Sequence, residues 1–207
     1  MLVSTSFLKE GNYSDYIKQL NNSNTDYIHY DVMDGKFVDN TNLKTLSELE
    51  KYIDLSKKKI DVHLMVENPK KYIESLALYN INNITIHREI KDYLKMIDLI
   101  KSYGFKAGIA INPDTKAEDV FDILDKVDVV LVMGVYPGKS GQQFIESTVL
   151  KIRDLKEEIN KRGLYTKISV DGGVCEEVLP LLVDADIIVS ASYILNDLSN
   201  IDKIKEL

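Results

Sequence analysis

The 207 residues suffice for one domain with a sizeable core, and 44% hydrophobic with 29% charged residues is an ordinary globular composition. The net charge of −7 argues against a general nucleic-acid binder, which needs a basic face, but leaves room for a small anion held by backbone N–H groups. The single cysteine, Cys175, permits no internal disulfide, residues 1–7 are apolar but short for a signal peptide, and no run of about 18 apolar residues suggests a membrane span, so a soluble cytoplasmic protein is expected.

Along the chain, apolar runs of strand length recur at 2–8, 27–33, 59–65, 83–87, 105–111, 127–133, 166–171 and 186–191. Amphipathic stretches around 12–24, 43–56, 69–80, 90–103, 115–125, 142–162, 174–183 and 198–206 alternate with them. Spacings such as Ile73, Leu76, Ala77 and Tyr93, Ile97, Ile100 suit one face of a helix. Strict alternation of strand and helix means parallel strands joined by crossover helices. Eight repeats, with no G-x-G-x-x-G after the first strand, favour a closed (β/α)8 TIM barrel over an open sheet. No composition shift marks a second domain, so residues 1–207 read as a single barrel. The charged block Arg153 to Glu158 in the longest predicted helix reads as a solvated face with ion pairs.

Functional groups in such a barrel gather at the carboxyl ends of the strands. The second run places His29 and Asp31 two apart, on one side of a strand. The third places His63 late, the fourth ends in His87 followed by Arg88 and Glu89, and the seventh ends in Asp171 before Gly172 and Gly173. A lone late histidine is ordinarily a packed, hydrogen-bonded core residue. His29 and His63 together with Asp31 and Asp171 instead suggest one divalent metal per subunit, with mixed N/O donors suited to Zn, Fe, Mn or Co. Spacing leaves His87 open as a further ligand.

Two carboxylates from strands as far apart as the second and seventh suit a substrate held between two acid/base groups. One would remove a proton from a carbon beside a carbonyl and the other would return it on the opposite face. Asp171, before a Gly-Gly turn, could equally be a turn former, and Asp34 in Asp34-Gly35 fits that role better. Met33, Met65 and Met133 fall at matching strand ends, as a flexible lining or as plain core. Phosphate capture could come from Pro137-Gly138-Lys139-Ser140-Gly141-Gln142, from Gly172-Gly173, and from Ala191-Ser192, since loops after strands seven and eight often hold phosphate in this fold.

Several of these segments resemble the ribulose-phosphate 3-epimerase family. His29-Tyr-Asp31-Val-Met33-Asp34-Gly35-Lys-Phe37-Val38-Asp39-Asn40 is similar to its H-x-D-V-M-D-G-x-F-V-P-N, and Asp61-Val-His63-Leu-Met65-Val66 to D-x-H-L-M-V. Val132-Met133-Gly134-Val135-Tyr-Pro137-Gly138-Lys139-Ser140-Gly141-Gln142-Gln-Phe144-Ile145 resembles V-M-S/T-V-x-P-G-F-G-G-Q-x-F-I. The segments Ser4 to Leu8, His87-Arg88-Glu89, Gly108 to Thr115 and Val170-Asp171-Gly172-Gly173-Val174 match in order as well. The resemblance implies a ribulose-phosphate-binding barrel that interconverts D-ribulose 5-phosphate and D-xylulose 5-phosphate in the pentose phosphate pathway, as a homo-oligomer (dimer or hexamer). It implies His29, Asp31, His63 and Asp171 as metal ligands, without His87, and Asp31 and Asp171 as the acid/base pair. Ser6 would lie near the reacting oxygens, and Met33, Met65 and Met133 would cap the enediolate. Gly138, Gly141, Gly172, Gly173 and Ser192 would take the phosphate.

The chain departs from the family at Lys139-Ser140 for Phe-Gly, Ala191 for Gly, Asp39 for Pro, and Gly134 for Ser or Thr. None removes a proposed ligand or acid/base group, and most lie near the phosphate or the mouth. The alternatives are therefore a D-allulose 6-phosphate 3-epimerase, one carbon longer in substrate, or a non-catalytic phosphosugar-binding barrel. The latter would have no need of both Asp31 and Asp171. A Schiff-base aldolase lacks a late inward lysine here. A phosphosugar decarboxylase lacks its Asp-x-Lys-x-x-Asp signature, since the second strand reads Asp31-Val32-Met33-Asp34.

Overall fold

The computed structural model describes residues 1–8, 12–42 and 46–207. Eight parallel strands, β1 (Leu2–Ser6), β2 (Tyr27–Met33), β3 (Lys59–Met65), β4 (Ile81–His87), β5 (Lys106–Ile111), β6 (Val129–Met133), β7 (Lys167–Asp171) and β8 (Ile187–Ser190), pair in sequence order and close on themselves. Around them run α1 (Tyr13–Asn21), α2 (Leu46–Leu55), α3 (Lys70–Leu76), α4 (Tyr93–Ser102), α5 (Thr148–Arg162), α6 (Ser192–Asn196) and α7 (Asn200–Lys205), with 3₁₀ helices at Ala117–Lys126 and Leu179–Leu181. The expected barrel and its eight strands are present. No helix among the described residues is long and apolar enough to cross a membrane.

The two-residue alternation of a strand sorts the side chains into layers. On β2, Ile28, Tyr30 and Val32 join the large buried cluster between barrel and helices. His29, Asp31 and Met33 are left for the interior. Register then aligns them with β3: His29 opposite Asp61, Asp31 opposite His63, Met33 opposite Met65. On the other side, Met133 of β6 pairs with Asp171 of β7. The lower ends of three strand pairs are tied by a repeated device. Asp26, Asp128 and Asp186 each stand just before an even-numbered strand and accept the backbone N–H of Val3, Ala107 and Ile168 at 2.8–2.9 Å. Each returns its own N–H to that same residue's carbonyl.

Several boundaries differ from the sequence reading. The first run was expected over 2–8, but β1 stops at Ser6. The Ser6 hydroxyl accepts the Leu8 N–H at 3.1 Å, and Phe7 turns out to pack edge-on against Tyr13 and Tyr30. The predicted helix at 115–125 is a 3₁₀ helix whose buried Ala117, Val120 and Ile123 recur every three residues, the period of that helix. The predicted 142–162 helix begins only at Thr148: ahead of it the Ile145 N–H donates to the Gly134 carbonyl at 2.8 Å, a long-range contact in place of a helical one, and the Gln142 side-chain amide donates to the Tyr136 and Lys139 carbonyls at 2.7 and 2.9 Å. The predicted 174–183 helix shrinks to one turn around Pro180, which has no N–H to continue it. A short helix, α6, opens at Ser192, where none was expected. Positions 43–45 of the predicted second helix lie outside the described residues. On α5, Lys161 and Arg162 pair with Glu158, and Gly163 closes the helix in the left-handed region at φ 64°.

Candidate metal and acid/base site

The carboxyl ends of the strands open into a cavity of about 730 Å³. Ser6, Asp31, Met33, Met65, Met133 and Asp171 line its floor and sides. Gly138, Gly141, Gly172, Gly173 and Ser192 line its rim, together with Lys139. Met33 and Met65 pack with Val38, and Met133 packs with Ala110, Leu131 and Val189 in the barrel interior, so the three methionines are both packed core and cavity wall.

At the floor, His29, Asp31, His63 and Asp171 each bring one ligand atom to within 4.8 Å of all the others. The Nε2 of His29 lies 3.4 Å from Asp31 Oδ1, the Nδ1 of His63 lies 3.2 Å from the same oxygen, and that Nδ1 is 3.8 Å from Asp171 Oδ2. Register explains the meeting: Asp31 and His63 are paired positions on neighbouring strands, His29 is two residues below, and β7 delivers Asp171 from across the barrel. The two imidazoles and two carboxylates are a donor set suited to a transition-metal dication. One atom tests the fit directly. Nε2 of His29 is buried without a hydrogen-bond partner, which is costly for a polar nitrogen unless a cation takes its lone pair. The four residues could hold a metal ion.

Charges around the cluster divide the two carboxylates. Burial works against ionisation of Asp31, but the neighbouring His29, first, and His63 outweigh it and hold the carboxyl well below the usual carboxylate range. Asp171 is pushed up to about 7 by burial and by the negative charge of Asp31. Burial alone would lower His29, yet the charges of Asp61 and Asp31 raise it well above its ordinary value. Ser6 donates its hydroxyl to Asp31 Oδ2 at 2.7 Å, fixing the orientation of that carboxylate.

Two groups that the sequence reading named but gave no role take part. Asp61, paired in register with His29, accepts from His29 Nδ1 at 2.8 Å, from Ser4 Oγ at 3.0 Å and from Asn83 Nδ2 at 2.7 Å. Its two-residue spacing from His63 was the available signal, since it puts both on the inner face of β3. Glu89 turns back from the loop after β4 onto the His87 ring. His87 stands behind His63, ring against ring, outside the four-residue cluster. Asp34 acts as the expected loop former. Its carboxylate accepts the backbone N–H groups of Lys36, Phe37 and Glu67 at 2.9–3.0 Å.

The backbone of this barrel resembles solved tryptophan synthase alpha-subunits. A mutant form from Pyrococcus furiosus superposes with a TM-score of 0.67 at 16% identity over 99% of this chain and 94% of that one, a likeness of fold alone. Sequence relatives speak to the chemistry. A ribulose-phosphate 3-epimerase from Bacillus subtilis (strain 168) is 38% identical over 186 residues, 89% of this chain and 84% of its own. One from Methanocaldococcus jannaschii is 40% identical over 188 residues, 89% of this chain and 79% of its own. The model of the ribulose-phosphate 3 epimerase family matches residues 2–195, which include every strand of the barrel and all four residues of the floor cluster. On these grounds the chain belongs to the ribulose-phosphate 3-epimerase family.

Proposed function

We propose that this epimerase interconverts D-ribulose 5-phosphate and D-xylulose 5-phosphate, with Asp31 and Asp171 exchanging protons at opposite faces of C3. The observation that carries the reading is the convergence of these two carboxylates, from β2 and β7, on one buried cluster at the cavity floor. Their environments push their titrations apart, so one is ready to accept a proton and the other to give one. In one direction the Asp31 carboxylate takes the C3 proton. The C3–H electron pair passes into the C2–C3 bond, and the C2 carbonyl oxygen takes up the charge of a 2,3-enediolate. The Asp171 carboxyl then gives its proton to the other face of C3 and the carbonyl re-forms. The reverse direction exchanges the two roles.

His29, Asp31, His63 and Asp171 would hold the metal, and a bound divalent ion supplies Lewis-acid stabilisation of the charge on the substrate oxygens. Ser6 keeps the Asp31 carboxylate aimed into the cavity by its 2.7 Å hydrogen bond. Met33, Met65 and Met133 offer no competing hydrogen bonds and keep water off the reacting carbon. The rim loops suit a phosphate because bare backbone must come close there. At Gly173, in the left-handed region at φ 71°, a Cβ would stand 2.6 Å from the Phe144 backbone, so only glycine fits at this spot. Gly138, Gly141, Gly172 and Ser192 complete the rim on the same reading.

The test is solvent deuterium exchange at C3, followed from each epimer in turn, alongside turnover with and without a chelator. Asp31→Asn is expected to stop exchange from one epimer and Asp171→Asn from the other, and the chelator to abolish turnover until metal is restored. Full turnover by either variant overturns the two-carboxylate reading. Faster turnover of D-allulose 6-phosphate than of D-ribulose 5-phosphate would reassign the substrate to the longer sugar.

A further inference from the structure

His63 is met on its far side by a second imidazole. The Nε2 atoms of His63 and His87 stand 2.8 Å apart in a fully buried contact, with the rings stacked at 5.0 Å and 25°. Two ring nitrogens at that distance share one proton, so one ring donates and the other accepts. The direction is set two residues further along the chain. Nδ1 of His87 lies 3.1 Å from Oε2 of Glu89. The other oxygen of that carboxylate accepts the Asn112 backbone N–H at 2.9 Å and the Thr115 hydroxyl. A carboxylate so held only accepts, so His87 must carry its proton on Nδ1 and show a lone pair at Nε2. His63 then donates through Nε2–H, so that in its neutral form, with a cation in the cluster, Nδ1 is the atom that offers the lone pair. That Nδ1 is the atom 3.2 Å from Asp31 Oδ1 and 3.8 Å from Asp171 Oδ2. The opposite polarity would set the His87 Nδ1 lone pair against a carboxylate oxygen. Phe37, its ring 4.5 Å from that of His87, covers the contact from the loop after β2.

We infer that Glu89 and His87 are positioning residues: anchored on the loop after β5, they lock His63 in the tautomer that turns its Nδ1 lone pair toward His29, Asp31 and Asp171. The inference deepens the metal reading above and rests on it. Outer groups of this kind fix the tautomer and ring orientation of a metal-bound histidine, and losing them typically weakens affinity 10- to 100-fold.

The variant that tests it is Glu89→Gln, which keeps shape and removes charge. The Asn112 N–H holds the amide oxygen on its own side, so the amide nitrogen faces His87 and reverses the whole chain, placing an N–H of His63 toward the cluster. Zn²⁺ affinity, read by competition with a chromophoric chelator, is expected to fall about 10- to 100-fold. Nitrogen-15 NMR of the wild-type imidazoles, which needs no variant to fold, is expected to show His87 protonated on Nδ1 and bare at Nε2, with and without Zn²⁺. A proton on His87 Nε2 in the wild type, or a Glu89→Gln affinity within twofold of wild type, overturns the lock and leaves the metal reading standing. A wild-type protein that binds no Zn²⁺, Mn²⁺, Fe²⁺ or Co²⁺ overturns the metal reading itself.

Discussion

His29 and Asp61 form a buried pair, Nδ1 to Oδ2 at 2.8 Å, that leaves the other imidazole nitrogen facing the floor cluster without a protein partner. The carboxylate can only accept, so His29 carries a proton on Nδ1, and with a metal bound in the cluster its lone pair is on Nε2. Asp61→Asn tests how much depends on this. Asn83 Nδ2 donates to Oδ1 of residue 61 at 2.7 Å, which would fix the amide oxygen on that side and turn the amide nitrogen toward His29. The imidazole would then present N–H, not a lone pair, to the cluster. Metal affinity is expected to drop about 10- to 100-fold with the fold retained. Retention of full metal content after dialysis against a weak chelator would contradict it.

Asp171 ties activity to stability. Its carboxyl, raised to about 7 from an ordinary 3.8, binds its proton more tightly in the folded than in the unfolded chain. With metal removed, its contribution is therefore fully present below pH 3.8 and is lost as pH rises toward 7. At ~1.4 kcal/mol per decade, the ionised form carries a destabilisation of at most roughly 4 kcal/mol. Asp171→Asn should abolish epimerisation yet raise the stability of the chelator-treated protein at pH 8, with the advantage shrinking toward pH 4. Denaturant melts at both pH values check the sign. A variant less stable than wild type at pH 8 would show that the carboxylate is not under strain there.

Gly134 stands where the resembling family motif carries Ser or Thr. Its N–H donates to the Asp171 carbonyl at 2.7 Å, and a Cβ added there would stand 2.5 Å from the Gly172 carbonyl oxygen and 2.6 Å from the Phe144 ring. Gly134→Ser must therefore push the Gly172-Gly173 turn or the Phe144 ring aside. A loss of about 1–3 kcal/mol is expected, as for overpacking elsewhere. For a domain of this size it lowers Tm by about 2–4 °C per kcal/mol. If the turn holds phosphate, KM for the sugar phosphate rises with it. An unchanged Tm and KM would mean that the neighbourhood relaxes freely.

The barrel was legible because eight apolar runs alternate with helical patterns, and that periodicity survives in a single sequence. The floor cluster was legible for a related reason: strand alternation fixes which residues face inward, so His29, Asp31 and His63 could be placed on one side before any coordinates. The long-range partners were not. Nothing local tells that Glu89 folds back to His87 while reaching Asn112 and Thr115 on the next loop, because that contact depends on the β4–β5 register and the loop path. Helix ends differ where long-range backbone contacts intervene, as the Ile145 to Gly134 hydrogen bond does ahead of α5. The turn at Leu179–Leu181 shows a single proline overriding an amphipathic pattern.

Lys139 stands on the rim where the proposed phosphate dianion would sit. Among the described residues lining the cavity it is the only lysine or arginine, against Asp31, Glu146, Asp171 and Glu177. The Lys139 side chain is exposed, so its attraction to a bound phosphate is screened by water, and a charge pair of this kind contributes on the order of 1 kcal/mol. Lys139→Ala should then raise KM about fivefold with kcat unchanged, and the difference should fade in high salt, because the Debye length shrinks to about 3 Å at 1 M. Lys139→Glu should raise KM further, since it replaces attraction with repulsion at the same spot. Steady-state kinetics at two ionic strengths separate the outcomes. A KM indifferent to both substitutions would make Lys139 a solvated loop residue, with the phosphate held by the glycine turns and Ser192 alone.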